Sequence, residues 1–272
     1  MSDYLKKSKK YKGYHYSVLK PEMIQYLHEK TLEMLKIIIP IFEKNNIRYM
    51  ICGGTLLGAV TTGHFIPWDD DLDICVLEDD YEKMRRCLIN YVPDWMIVQC
   101  RETEPHYYHG WIKVRDKRSK VYPCEKEYGC NGVWIDIYKL TKIKQKNVSY
   151  LITKEHLDYL IRRYKGKCIN FKELISRIHS NNLIFNIIRE KIKLLFSKDN
   201  ADTYIIWSAS KILIEPKWCF PSSTVEFEGM KLKSFHKATT YLRRHYGDNY
   251  SKLPPDEMRR VGINNIEVEK ND

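Results

Sequence analysis

The chain has 272 residues, 43% of them hydrophobic and 30% charged, with a formal net charge of +11. That length lies far above the size at which a domain needs disulfides or a metal merely to fold, and the composition excludes a disordered chain. The absence of any run of about 18 apolar residues excludes a spanning helix, and the Lys-rich stretch 1–12, with no apolar core, does not read as a secretory signal.

In chain order, residues 21–45 read as a helix. Pro21 suits a first helical position, and Met23, Ile24, Leu27, Leu32, Leu35, Ile38, Ile39 and Phe42 form a broad apolar stripe. Pro40 is expected to kink or shorten it. The apolar run 47–52, bounded by Asn45-Asn46 and Gly53-Gly54, reads as a buried strand, and a short helix follows over about 55–61. A second strand is expected at 72–77 and a helix at 81–91. Further strands are expected at 95–99, 111–115 and 132–138. After Thr141 the pattern turns helical and basic. Residues 222–229 fit a hairpin arm, and 237–246 a short helix capped by Gly247. Strands clustered in the first half and helices in the second predict an α+β fold.

Charge divides the chain as well. Residues 141–200 hold 14 Lys/Arg against 5 Asp/Glu, and residues 1–20 hold six Lys against one Asp. The expected organisation is therefore a basic N-terminal segment (1–20), a catalytic core (21–140), a basic helical insertion (141–200) and a C-terminal part of the core domain (201–272). Basic surfaces attract phosphates of any kind. The basic segment lacks the aromatic interleaving and motifs of nucleic-acid binders, so no nucleic acid is expected as a partner. The eight cysteines include no Cys-x-x-Cys pair, and reduced thiols in a cytoplasmic setting are the expectation.

The chemistry concentrates in Trp68-Asp69-Asp70-Asp71-Leu72-Asp73-Ile74. Asp71 and Asp73 flank Leu72 at the start of a strand, so a period of two turns them to one face. Two converging carboxylates suit a hard divalent cation such as Mg²⁺ or Mn²⁺. A solvated acidic turn is the plainer alternative, but it would not need the large apolar neighbours Phe65, Ile66 and Trp68. Upstream, Gly53-Gly54-Thr55 lies between a strand and a helix, where backbone N–H groups can approach a phosphate. Asp136 is the one charge in the apolar strand 132–138. Buried there, it calls for a metal or for an ion pair with a lysine or arginine. Without a cation its charge is a cost, and Asp136→Asn is expected to leave the metal-free protein at least as stable. Carboxylates on two strands are the usual support for metal-assisted phosphoryl transfer. Lys113 and Arg115 alternate with Ile112 and Val114 and share one face, either toward phosphates or toward solvent. Residues 184–196 mix isoleucine, leucine and phenylalanine with Arg189, Lys191 and Lys193, as a packed helix or a membrane-surface helix would.

The run from Cys52-Gly53-Gly54-Thr55-Leu56-Leu57-Gly58 through Gly63-His64-Phe65-Ile66-Pro67-Trp68-Asp69-Asp70-Asp71-Leu72-Asp73 resembles the LicD family of phosphorylcholine transferases, with fukutin and fukutin-related protein as distant members. The likeness continues in Lys113-Val114-Arg115-Asp116, Val133-Trp134-Ile135-Asp136, Phe227-Glu228-Gly229, Tyr246-Gly247-Asp248 and Leu253-Pro254-Pro255. Thr61-Thr62 departs from the family's common Arg-His. The resemblance implies a nucleotidyltransferase-like mixed sheet with flanking helices and a basic, mainly helical C-terminal half. It implies transfer of a phosphocholine-type group from a CDP-linked donor to a hydroxyl of a cell-surface or capsular glycan, such as lipopolysaccharide. The acceptor can be lipid-linked, with peripheral contact at the inner face of the membrane. Carried over by position, Asp71, Asp73 and Asp136 are the catalytic, metal-binding acids. Gly53, Gly54, Thr55, Lys113 and Arg115 would face the donor phosphates, and Asp136 could act as ligand or as base. A true nucleotidyltransferase, moving NMP from an NTP to a small molecule or RNA, would use the same carboxylates.

Overall fold

In the computed structural model of the chain, helix α1 (Pro21–Lys44) forms where the apolar stripe predicts it, with Pro21 at its first turn. It runs straight through Pro40 to Lys44 instead of stopping there. Ile38, Ile39 and Phe42 are buried on either side of an exposed proline, and that packing outweighs the lost backbone hydrogen bond. The structure describes residues 14–15, 18–124, 126–206, 212–255 and 259–267, and most of the basic segment expected at 1–20 lies outside the described residues.

Strand β2 (Tyr49–Ile51) leads through α2 (Gly53–Thr61) to β3 (Asp73–Leu77), which pairs back on β2 antiparallel. After α3 (Glu78–Tyr91) come β4 (Met96–Gln99), β5 (Ile112–Asp116) and β6 (Lys120–Pro123), and then the long β7 (Trp134–Lys144). The central sheet has the order β2-β3-β7-β5-β4, with β3 parallel to β7 and the other pairs antiparallel; β8 (Asp202–Ile206) pairs with the far half of β7. The mixed sheet with flanking helices is the α+β fold expected. One register row matters most. Asp73 stands opposite Asp136, and Asp136 stands opposite Lys113 on its other side. Side chains in such a row share a face, so three strands deliver two carboxylates and an ammonium to one place.

The helical turn expected after Thr141 is delayed. β7 continues to Lys144 because Leu140 and Thr141 are buried, Lys142 is exposed, and β8 supplies hydrogen-bond partners from Leu140 to Lys144. Three helices then follow: α4 (Val148–Lys165), α5 (Phe171–Ser180) and α6 (Leu183–Phe196). They pack around a small cluster of Leu160, Ile169, Leu174 and Leu183. Beyond α7 (Pro216–Cys219), the expected hairpin is β9 (Ser223–Phe227) with β10 (Met230–Ser234). Its turn places Glu228 at φ 48° and Gly229 at φ 73°. Left-handed residues at both central positions match the twist of the paired strands. Helix α8 (Ala238–Tyr246) buries Tyr241 and Leu242 behind α2 and ends at Gly247. Two strand pairs were not anticipated: β11 (Arg260–Val261) on β1 (Tyr14–His15), and β12 (Ile263–Glu267) on β6. They bring the C-terminal segment back to the acidic loop.

Candidate active site

Helix α2 begins at Gly53, so both glycines sit in its first turn. Gly53 has φ +53°, and a Cβ there would lie 2.0 Å from Asp73 Oδ2; one on Gly54 would lie 2.5 Å from Asp69 Oδ2. The glycines therefore leave room for carboxylates to close on the helix backbone. The Gly54 N–H donates to Asp73 Oδ2 at 3.3 Å, and Thr55 Oγ1 accepts the Asp73 N–H at 2.8 Å. The Gly53 N–H donates to the Tyr241 hydroxyl at 3.3 Å. The Gly-Gly-Thr segment and the start of β3 thus form one hydrogen-bonded unit.

The preceding loop is held from behind. Phe65 is buried, stacks on His28 at 4.2 Å and meets Phe227 edge-on at 4.8 Å. His28 Nε2 lies 2.8 Å from the Asp69 carbonyl oxygen, which requires the proton on that nitrogen. Asp70 is buried and accepts the Gly262 N–H at 2.7 Å. Phe65 is therefore a scaffold that fixes the loop, whereas Ile66 and Trp68 are half-buried and line the cleft beside the acids.

One ligand oxygen each from Asp71, Asp73 and Asp136 lies within 4.8 Å of the others, and the same holds for Asp69, Asp70 and Asp71. Burial raises the carboxyl pKa of Asp73 to about 7, and the neighbouring Asp136 charge adds to the rise. Burial also lifts Asp70 to about 6, against the Gly262 N–H that lowers it. Asp69 and Asp71 are raised well above the usual carboxylate range, first by burial and then by their acidic neighbours. Asp69 Oδ2 is buried without a hydrogen-bond partner. Such a donor set, all carboxylate oxygen and short of positive charge, fits a hard divalent cation.

Asp136 differs from the other acids. Its Oδ1 accepts Trp111 Nε1–H at 2.7 Å, and its Oδ2 accepts Trp134 Nε1–H at 3.2 Å and the Tyr138 hydroxyl at 3.4 Å. Lys113 Nζ lies 3.1 Å from Oδ1 and 3.2 Å from Oδ2, and 4.4 Å from the centre of the Trp134 ring. Lys113 and Asp136 are both buried. Asp136 is thus alone in its strand but not in space: the ion pair left open as an alternative is present, beside the acidic cluster. Its four lone-pair positions are occupied.

An open cleft of about 420 Å³ runs along the acids, lined by Gly54, Asp69, Asp71, Asp73 and Tyr138 together with Tyr246, Tyr250, Lys252 and Arg260. Of the residues expected at the site, Gly54, Asp71 and Asp73 face this cleft. Thr55, Asp136 and Lys113 form the layer behind them, and Gly53 is turned onto Tyr241 and Asp73. Arg115 is not brought to the cleft. Its guanidinium pairs with Glu127, donates to Gln99 Oε1 and to the Gly132 carbonyl at 2.8 Å, and is 1% exposed. The expectation that Lys113 and Arg115 share a face holds, but that face is interior. Lys252 and Arg260, the cleft's own cations, were missed. Their signal lay in the late motifs Tyr246-Gly247-Asp248 and Leu253-Pro254-Pro255, which bracket Lys252 and lead to Arg260. Arg259 stands beside them, its guanidinium 4.6 Å from the Trp68 ring.

Residues 46–159 match the family described as LicD/FKTN/FKRP, nucleotidyltransferase domain. The chain is 26% identical over 272 aligned positions to the lipopolysaccharide cholinephosphotransferase LicD of Haemophilus influenzae, covering 86% of this chain and 94% of that protein. It is 44% identical over 161 positions to an uncharacterized protein of Rickettsia typhi, covering 57% of this chain and 42% of that one. A 48-residue stretch is 38% identical to the human ribitol 5-phosphate transferase FKRP, covering 18% of this chain and 10% of that protein.

Proposed function

We propose, from the match of residues 46–159 to the LicD/FKTN/FKRP domain and the likeness to LicD over most of the chain, that the protein transfers a substituted phosphate, of the phosphocholine type, from a CDP-linked donor to a hydroxyl of a cell-surface glycan, releasing CMP. The observation that carries this reading is the convergence of Asp71, Asp73 and Asp136 beside Gly54 along an open cleft. Two relatives with different transferred groups, cholinephosphate and ribitol 5-phosphate, support the phosphate as the shared element.

Asp71 and Asp73 would hold Mg²⁺ or Mn²⁺, with Asp136 behind them. A bound divalent cation supplies positive charge to the diphosphate oxygens. The chain's own groups do the rest. Lys252 and Arg260, which also line the cleft, would draw in and orient the donor's phosphates. The glycan hydroxyl oxygen forms the new bond to the distal phosphorus, the bond to CMP breaks, and CMP leaves with that electron pair. The hydroxyl proton passes to Asp71, whose carboxylate accepts no hydrogen bond from any described residue. Asp136, with its lone pairs filled by Trp111, Trp134, Tyr138 and Lys113, is suited to fixing the cluster's charge and not to taking that proton. A cytoplasmic location and a lipid-linked acceptor at the inner face of the membrane belong to the same proposal. The family description also favours a second reading, NMP transfer from an NTP, which would release pyrophosphate instead of CMP.

Product mass spectrometry tests this. The protein would be incubated with CDP-choline, CDP-ribitol or CDP-glycerol, a candidate glycan and Mg²⁺. CMP and a glycan heavier by the substituted phosphate are expected, with loss of both in EDTA and in Asp71→Asn. Turnover that survives EDTA would remove the metal from the proposal, and pyrophosphate from an NTP would select the second reading.

A further inference from the structure

Helix α6 packs in an unusual way for a helix of a globular domain. Its 14 residues bury only Leu183 fully, against α4 and α5. Ile184, Phe185, Ile188, Ile192, Leu195 and Phe196 are instead between 51% and 80% exposed. At about 100° per residue, these six side chains fall within an arc of about 120° on the helix surface. Lys191 borders that arc on one side, and Arg189 and Lys193 on the other. Arg189 and Lys193 are held there by Glu190, at 3.0 Å and 3.1 Å. Neighbouring α5 adds exposed Phe171 and Ile175, one turn apart, with Lys172 between them.

A contiguous exposed apolar stripe of this size calls for an occupant. We propose that the outward face of α6, with the adjoining end of α5, is a docking surface for an anionic lipid bilayer, the helix lying in the plane of the headgroups. Charge selects this occupant. Over residues 171–198 there are six Lys/Arg against two Asp/Glu, and cations flank the apolar arc on both sides. An anionic interface satisfies stripe and flanks together, with phenylalanine and isoleucine among the acyl chains and ammonium groups at the phosphates. A second copy of the same face would set cations against cations. Length is consistent: 14 residues are too few to cross the hydrocarbon core, and no described helix is long and apolar enough to do so.

The test is co-sedimentation of the full chain with vesicles of equimolar phosphatidylglycerol and phosphatidylcholine, and with pure phosphatidylcholine vesicles, at low and high salt. Binding to the anionic vesicles at low salt is expected, with much less on neutral vesicles and release as salt rises. Leu195→Asp with Phe196→Asp should lower the bound fraction at least about tenfold, since each removes a large apolar group from the interface. Lys191→Glu with Lys193→Glu should do the same mainly on the anionic vesicles. Both pairs alter exposed positions, so the melting temperature should be unchanged, and sedimentation velocity should show wild type and variants as the same monodisperse species. No binding by folded wild type at low salt overturns the proposal. So does binding that both double variants retain. A self-associated species that disperses in Leu195→Asp/Phe196→Asp, without vesicle binding, would make this face an interface between copies.

Discussion

Replacing Lys113 by methionine removes one charge from the row Asp73, Asp136, Lys113 while keeping an unbranched side chain over Trp134. Both members of the pair are nearly sealed from solvent, Lys113 at 4% and Asp136 at 3% exposed. Breaking such a pair by removing one partner costs about 3–5 kcal/mol, because the other charge stays buried without its counter-ion. For a chain of this size, each kcal/mol lowers the melting temperature by about 2–4 °C, so a drop of roughly 6–20 °C is expected. Asp136→Asn should also destabilise, since it strands Lys113. That reverses the expectation drawn from the sequence, in which the ion pair was only the alternative to a metal. The double variant should lose less than the sum of the two single losses, with a coupling of at least about 1 kcal/mol. Divalent cation should in turn stabilise Lys113→Met more than wild type, because Asp136 is then free to add its charge to Asp71 and Asp73. Thermal melts of the four proteins, with Mg²⁺ and with EDTA, measure every quantity. Additivity within about 0.5 kcal/mol would mean that the pair is not a coupled unit, and the account of Asp136 would fail.

Asp73 carries a pKa of about 7 in the folded chain against an ordinary 3.8, so without metal the folded state holds an extra proton, and its contribution to stability is lost as pH rises from about 4 through about 7. Divalent cation competes with that proton, so the rise in melting temperature on adding Mg²⁺ should grow between pH 6 and pH 8 and vanish in Asp73→Asn; a rise independent of pH would refute the link. Gly53→Ala should abolish the Mg²⁺ response and destabilise the fold, because its Cβ would meet Asp73 Oδ2 at 2.0 Å on a backbone with φ +53°. Gly54→Ala has ordinary backbone angles and meets only the movable Asp69 carboxylate, so it should weaken turnover with a smaller effect on melting. Equal melting temperatures for the two alanine variants would count against the distinction.

Helix α1, the glycine turn and the Asp-x-Asp strand were legible because each is written in a local pattern: a stripe at helical spacing, a breaker between two apolar runs, an alternation of period two. What resisted reading depends on pairing across the chain. The end of β7, Lys142 to Lys144, looks like the start of a basic helix until β8 supplies its partner. In β12, Asn264 and Asn265 are exposed, leaving only Ile263 and Ile266 as an apolar signal, too short to mark a strand. The site divides the same way. Asp71 and Asp73 announce themselves as neighbours in sequence. The pairing of Asp136 with Lys113, and the burial of Arg115 against Glu127, follow from register and could not be seen from spacing.

The acidic loop also sets an order of assembly as the chain leaves the ribosome. The Gly53 N–H finds Tyr241 across 188 residues, and the Asp70 carboxylate finds the Gly262 N–H across 192. The loop is made well before its clasps at Tyr241 and Gly262, and before Lys252 and Arg260. A nascent chain would expose its acids long before it owned a cleft, with nothing to orient a donor phosphate. Competence would arrive only once β11 and β12 have been made and dock.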